Sequence, residues 1–441
     1  MITLSVSRKW NMLIVSLSIT VTMVVLNCIF LINIVYCGDK DAFSKLRLHG
    51  YGTIGYSIDD KTNLAPMRDF SQNPDRKFSN NGTWKLDSRL GMQADYRFSD
   101  KMEFVLQGVL KDQIDQTPRS YLESAYISTS PYTWMDIRLG RLGYDAFMMS
   151  DTRNISYAYL WVRPPPEFYG WIPVFSVDGM DATFRINQGD AQWRIRAQAG
   201  KSRDVSFPMG ENDTYDVETD DCYTFTISRQ SGSMRIKAGY SSFTAINEAR
   251  PFIALQGGLD AVIKATENAF PDINTESSNL RKNLSFKDID VNYITIGAAY
   301  DDGKWVAQAE VERAESTSET FPLGYMTYLG FGYRLDDFTP YILLSGTFPG
   351  KDFRTPSSDW SPIRQEEFHA RALNASNSTR IEQKTASLGI RWDFHNQAAL
   401  KLQWDRTYVD PWGYAMWWLT PETRTHSSKI NTGTVSLDFV F

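Results

Sequence analysis

From Leu46 onward, apolar and polar residues alternate with a period of two, the spacing of strands whose two faces meet different surroundings. The clearest case runs from Lys85 to Phe98. Leu86, Ser88, Leu90, Met92, Ala94, Tyr96 and Phe98 share one face, while Lys85, Asp87, Arg89, Gln93, Asp95 and Arg97 share the other. Similar segments recur at 46–58, 101–111, 120–128, 134–143, 177–187, 191–201, 222–229 and 234–243. The second half supplies 290–301, 304–315, 324–336, 338–347, 382–394, 397–409 and 431–441. Together these make about sixteen strands, an even number. The 85–98 segment is long enough to cross a bilayer at a tilt, which takes about 9–11 residues, whereas strands in general average about 5–6.

The connections strengthen this reading. Every second one is short, as at Ser99-Asp100, Gln188-Gly189-Asp190, Asp302-Gly303 and His395-Asn396, with the residues that tight hairpins favour. The intervening ones are mostly long, around 60–83, 144–176, 202–221, 246–289 and 348–381. The pattern predicts an all-β fold: a transmembrane, antiparallel, up-and-down barrel with short periplasmic turns and long external loops. Pro251 to Phe270 has helical spacing and is read as an external loop carrying a helical turn.

Composition removes other classes. Mean hydropathy is -0.36 and 22% of residues are charged, with one long apolar run, at the N-terminus. A helical membrane protein of this size would show several runs of about 20 residues. The 14% aromatic content suits girdles at two membrane interfaces, and a net charge of -6 gives no basic face for nucleic acid. Arg8 and Lys9 precede the apolar stretch from Met12 to Tyr36, and the chain turns polar at Gly38-Asp39-Lys40. That order predicts a signal peptide over 1–37, cleaved within 36–42, with a retained anchor as the alternative because the stretch exceeds the usual ~7–15 residues. A short segment 38–45 and the barrel 46–441 complete the predicted organisation. Cys28 and Cys37 fall in or beside the leader and Cys222 stands alone in the body. That set offers no internal disulfide and no Cys-x-x-Cys zinc pair, so no cofactor or metal is expected.

The final strand carries Val435, Leu437, Phe439 and Phe441 on one face and Ser436 and Asp438 on the other. Pairing it with the first strand would remove the unpaired edges that hydrocarbon cannot satisfy. An exported precursor, an opening strand His49-Gly-Tyr-Gly-Thr-Ile-Gly-Tyr56 and the terminal aromatic Phe441 resemble the Gram-negative outer-membrane porin superfamily, in its general diffusion form. The resemblance implies an outer-membrane location among lipid and lipopolysaccharide. It also implies a homotrimer, recognition of Phe441 by the barrel-assembly machinery, and a loop after the fifth strand folded inward.

Alternation places Arg89, Arg97, Arg138, Arg185, Arg194, Arg196, Arg235, Lys237, Asp87 and Asp95 on the lumen face. Many charges on one face imply water there, although pairing across neighbouring strands accounts for most of them taken singly. The basic residues gather from Arg185 to Lys237, which predicts a weak anion preference by field focusing. The inward loop, about 144–176, carries Asp145, Asp151, Arg153, Tyr159, Trp161, Arg163 and Glu167, with Pro164-Pro165-Pro166 to stiffen it. Its aromatic rings either stack on a flat solute or pack the loop onto the wall, and packing is the commoner use. The expected function is passive or weakly selective diffusion of small hydrophilic solutes. A channel specific for a sugar or organic anion through this loop is one alternative, and a plugged structural or adhesive barrel is another. The four histidines, His49, His369, His395 and His426, are scattered, and no Gly-x-Ser-x-Gly elbow accompanies them, so no enzyme is expected.

Overall fold

The computed structural model describes residues 45–441 except 75–81, 210–213, 322, 415 and 420; the expected leader lies outside the described residues. Sixteen strands form one closed antiparallel sheet. The first half comprises β1 (Leu46–Asp59), β3 (Arg89–Ser99), β4 (Met102–Lys111), β5 (Leu122–Tyr132), β6 (Met135–Gly143), β7 (Ser176–Gln188), β8 (Ala191–Pro208) and β9 (Thr214–Ser231). The second comprises β10 (Met234–Ala245), β11 (Ile289–Asp301), β12 (Trp305–Ser316), β13 (Gly324–Tyr333), β14 (Phe338–Pro349), β15 (Gln383–His395), β16 (Ala398–Val409) and β18 (Ser428–Val440). A separate two-stranded sheet joins β2 (Leu64–Pro66) to β17 (Trp417–Leu419). All sixteen segments expected from alternation are strands of the barrel.

Closure joins β1 to β18, with Tyr51 opposite Val440 and Ser57 opposite Thr434. Phe441 extends the pairing: its N–H donates to the Gly50 carbonyl at 2.9 Å, and the Gly50 N–H donates back at 2.8 Å. The tight connections lie at one end, where Gly303 adopts φ +90, a backbone state that a Cβ disfavours.

The outer surface is apolar where the strands alternate outward. Leu139, Ile296, Leu388 and Leu402 are all more than half exposed. Toward the short-turn end this band meets a girdle of ring pairs: Tyr132 on Trp134 at 5.1 Å, Trp305 on Tyr333 at 4.3 Å and Phe338 on Trp392 at 5.6 Å. Tyr223, Tyr325, Phe348 and Tyr408 stand exposed toward the other end. An apolar band between aromatic girdles is the exterior of a membrane barrel.

Three connections differ from expectation. Residues 202–221 are mostly strand, since β8 runs to Pro208 and β9 begins at Thr214. Residues 246–289 form two helices, Arg250–Thr266 and Pro271–Asn283, rather than a loop with one helical turn. A third helix, Glu366–Asn377, lies within 348–381. Each has an apolar stripe to bury: Phe252, Leu259 and Val262 on the first, Ile273 and Leu280 on the second, Ala372 and Leu373 on the third. These side chains join one continuous core with the 144–175 loop. The segment expected from Lys85 becomes strand only at Arg89, and Leu86 and Asp87 before it are buried.

Candidate functional site: the inward loop and its two chambers

The loop between β6 and β7 crosses the lumen and bonds to strands on every side of the barrel. Its first anchor is Asp145, which receives Lys237 of β10 at 2.5 Å, Arg196 of β8 at 2.9 Å and the Thr226 hydroxyl of β9 at 3.2 Å. The Ala146 carbonyl accepts from Thr295 of β11 at 3.0 Å. The Met148 N–H donates to Glu310 of β12 at 3.0 Å, and Tyr169 donates to the same carboxylate at 2.9 Å.

The second anchor lies at the seam. Arg163 donates from Nε to Asp87 at 2.7 Å, and from Nη2 to Ser57 of β1 and Thr434 of β18, both at 2.9 Å. Asp405 of β16 stands 3.5 Å from its Nη1. Nearby, Lys401 of β16 is fully buried and donates to the carbonyls of Ser156, Tyr159 and Trp161 at 2.6, 2.8 and 2.9 Å. Asp438 of β18, 2.9 Å away, balances its charge. A buried charge persists only with such pairing and hydrogen bonding.

The third anchor is Glu167, in the helical turn after the triple proline. Its carboxylate accepts from Ser345 of β14 at 2.8 Å, from Gln383 of β15 at 2.5 Å and from the Thr385 hydroxyl. Arg153 extends to Glu123 of β5 at 3.1 Å and lies 4.0 Å over the Phe175 ring.

Close backbone approach makes this packing possible. Gly330 of β13 faces the Trp161 ring so tightly that a Cβ there would lie 2.2 Å from Cζ3. Trp161 and Tyr159 are therefore covered by the wall and by each other, with Trp161 edge-on to Tyr328 at 5.9 Å.

The loop divides the space. Toward the short turns lie two recesses of about 520 and 210 Å³, which share Gln230 and Arg235 as lining residues. The smaller is lined by Arg194, Arg196, Arg235 and Lys237 against Asp145 and Asp151. Arg196 and Lys237 are engaged by Asp145, whereas Arg194 and Arg235 are exposed and make no ion pair among the described residues. Toward the long loops lies a cavity of about 510 Å³ with an aromatic lining.

The sequence-predicted residues thus separate. Arg194, Arg196, Arg235, Lys237, Asp145 and Asp151 share one recess. Arg138 and Arg185 pair with Asp181 and Asp136 on the wall beside it. Arg89 is buried, donating to the Ser156 and Tyr159 hydroxyls. Asp95 stands 3.4 Å from His49, and Arg97 is exposed at the short-turn end. Sequence reasoning missed Glu310, the Lys401–Asp438 pair and Gln403, whose side-chain oxygen accepts from the Val162 N–H at 3.0 Å, as loop anchors. Glycines at lumen-facing strand positions were the available signal, because a strand drops its side chain where another backbone or ring must come close.

At the long-loop end, Ser358, Glu276 and His369 gather. The Ser358 hydroxyl donates to Glu276, and His369 Nε2 meets the other carboxylate oxygen at 3.0 Å. A nucleophile requires its base within reach, and here the serine addresses the carboxylate instead. Among the described residues no group of three His, Cys, Asp or Glu side chains could hold a metal ion.

No protein-family model matches the chain, and no curated relative matches it. Solved structures do. OmpF of Salmonella typhi, in its complex with daunomycin, aligns at 10% identity over 90% of this chain and 97% of its own, with a TM-score of 0.51. The anion-selective porin from Comamonas acidovorans aligns at 11% identity over 90% and 100%, with a TM-score of 0.47. Outer-membrane expressed OmpT of Vibrio cholerae aligns at 10% identity over 90% and 98%, also with a TM-score of 0.47. The closed sixteen-stranded sheet is the porin fold, and its apolar belt is that of a membrane barrel.

Proposed function

We propose that this chain is an outer-membrane channel for small hydrophilic solutes, narrowed by the 144–175 loop and preferring anions. One observation carries the reading. The recess beneath the loop holds four cations against two carboxylates, and Arg194 and Arg235 there lack ion pairs among the described residues. Uncompensated positive charge in a low-dielectric cleft raises the local anion concentration. The short turns face the periplasm and the long loops face outward, in keeping with barrels of this type. We assign a homotrimer and assembly through the exposed Phe441 on the porin resemblance alone, and sedimentation in detergent checks the first.

A planar bilayer under a potassium chloride gradient tests selectivity. A reversal potential of anion-selective sign is the expected result, and a cation-selective sign sinks the preference. A second reading, a plugged barrel, draws on the loop's bonds around the wall. Absence of steady conductance from correctly folded protein would decide in its favour.

A further inference from the structure

The long-loop cavity has the wrong chemistry for the mouth of a purely hydrophilic pore. Phe207, Phe252, Phe286, Trp171, Trp412 and Trp417 are among its lining residues, and its volume is about 510 Å³. Small-molecule sites run about 300–1,000 Å³, mostly apolar with a few placed polar groups. Among the described residues, the charged ones that line it are Arg371 and Arg424. Both are exposed, and neither makes an ion pair among the described residues.

We propose that this cavity binds a small amphipathic carboxylate, with an aromatic or branched apolar body and a single acid group. The rings take the body by area burial and stacking. The two guanidinium groups address the acid, and arginine is suited to that planar anion. A neutral molecule of the same shape leaves the arginines without a counter-charge, and a short acid such as acetate leaves the rings uncovered.

The test uses the full protein in nanodiscs of zwitterionic lipid, titrated calorimetrically with 1-naphthoate, 1-naphthalenemethanol and acetate. Naphthoate should bind at least about tenfold tighter than the alcohol, the difference expected of one charge-assisted contact, and acetate should give no heat. The double variant R371Q/R424Q should erase the preference for the acid while leaving the alcohol's affinity unchanged. A375W, which fills the cavity from the Glu366–Asn377 helix, should abolish binding of both. Equal binding of acid and alcohol by the unaltered protein overturns the proposal, as does unchanged naphthoate binding in A375W. The titration needs no current, so its result stands apart from whether the barrel conducts. Naphthoate added on the long-loop side should also reduce conductance if the cavity lies on the solute's path.

Discussion

The chambers on the two faces of the inward loop differ in kind although one segment separates them. On the short-turn side the surface is strand lumen face, rich in arginine and lysine. On the long-loop side it is aromatic, assembled from loops, from the Arg250–Thr266 and Glu366–Asn377 helices, from the end of β8 and from β17. The lower surface inherits the period-two pattern of each strand. The upper one is made where that pattern stops. A barrel wall thus sets one solvent environment and its loops set another, with the partition holding them apart.

The sharpest way to break the comparison is to remove the partition's central cation. Arg163→Ala strands Asp87 and Asp405 without their counter-charge, and such a loss costs about 3–5 kcal/mol. The variant should unfold at a lower temperature in a heat-modifiability gel and conduct more per channel. Unchanged conductance and heat resistance together would show that another group holds the loop. Gly330→Leu comes next, because a side chain there meets Trp161 at contact distance or closer. Overpacking of this kind costs about 1–3 kcal/mol, and the expected readout is a noisier, larger current as the loop lifts from β13.

Changing the lower chamber alone sharpens the comparison. The pair Arg194→Glu and Arg235→Glu should reverse the sign of ion selectivity while stability stays within about 0.5 kcal/mol, the range of ordinary exposed substitutions. Naphthoate affinity, read in the upper cavity, should not move. The smallest effect concerns acid. Burial raises the Glu276 carboxyl, but donors from Ser358, the Ser357 N–H and His369 outweigh it and hold the group down to about 2, below its ordinary 4.5. A depressed carboxylate contributes stability that is full above the ordinary value and lost as pH falls through the folded one. Hydrogen-exchange protection of the Glu366–Asn377 helix, which packs on this carboxylate through His369, should therefore hold steady from pH 7 to 5 and fall only near the acid limit. A transition near pH 5 would show that Glu276 is not held this way.

The wall was legible because each strand states its own two faces locally. Lys85 to Phe98 shows the principle, and also its limit, since Leu86 and Asp87 follow the alternation yet precede the strand, and Asp87 holds the loop through Arg163 instead. The grouping of Arg194, Arg196, Arg235 and Lys237 was legible for the same reason, as they occupy inward positions on the neighbouring strands β8 and β10, with β9 between. The loop's path was not. Arg163 meets Asp405 across 242 positions, and Lys401 meets the Ser156 carbonyl across 245; no local period encodes either pairing. The helices after β10 were half legible. Their apolar spacing is visible, but the second, Pro271–Asn283, is polar enough to read as loop until its neighbours bury Ile273 and Leu280.

Arg163 has one more consequence. Ser57 and Thr434 lie on opposite sides of the line where the first and last strands zip together, and their hydroxyls touch at 2.8 Å under this one guanidinium. A closed sheet opens most readily where its two chain ends meet. Here that line is riveted from within by a group belonging to neither end. Zipping and docking of the loop thus become a single cooperative event, and the barrel cannot part at its seam without also emptying its middle. Resistance to mechanical or thermal opening should accordingly be a property of the loop as much as of the strands.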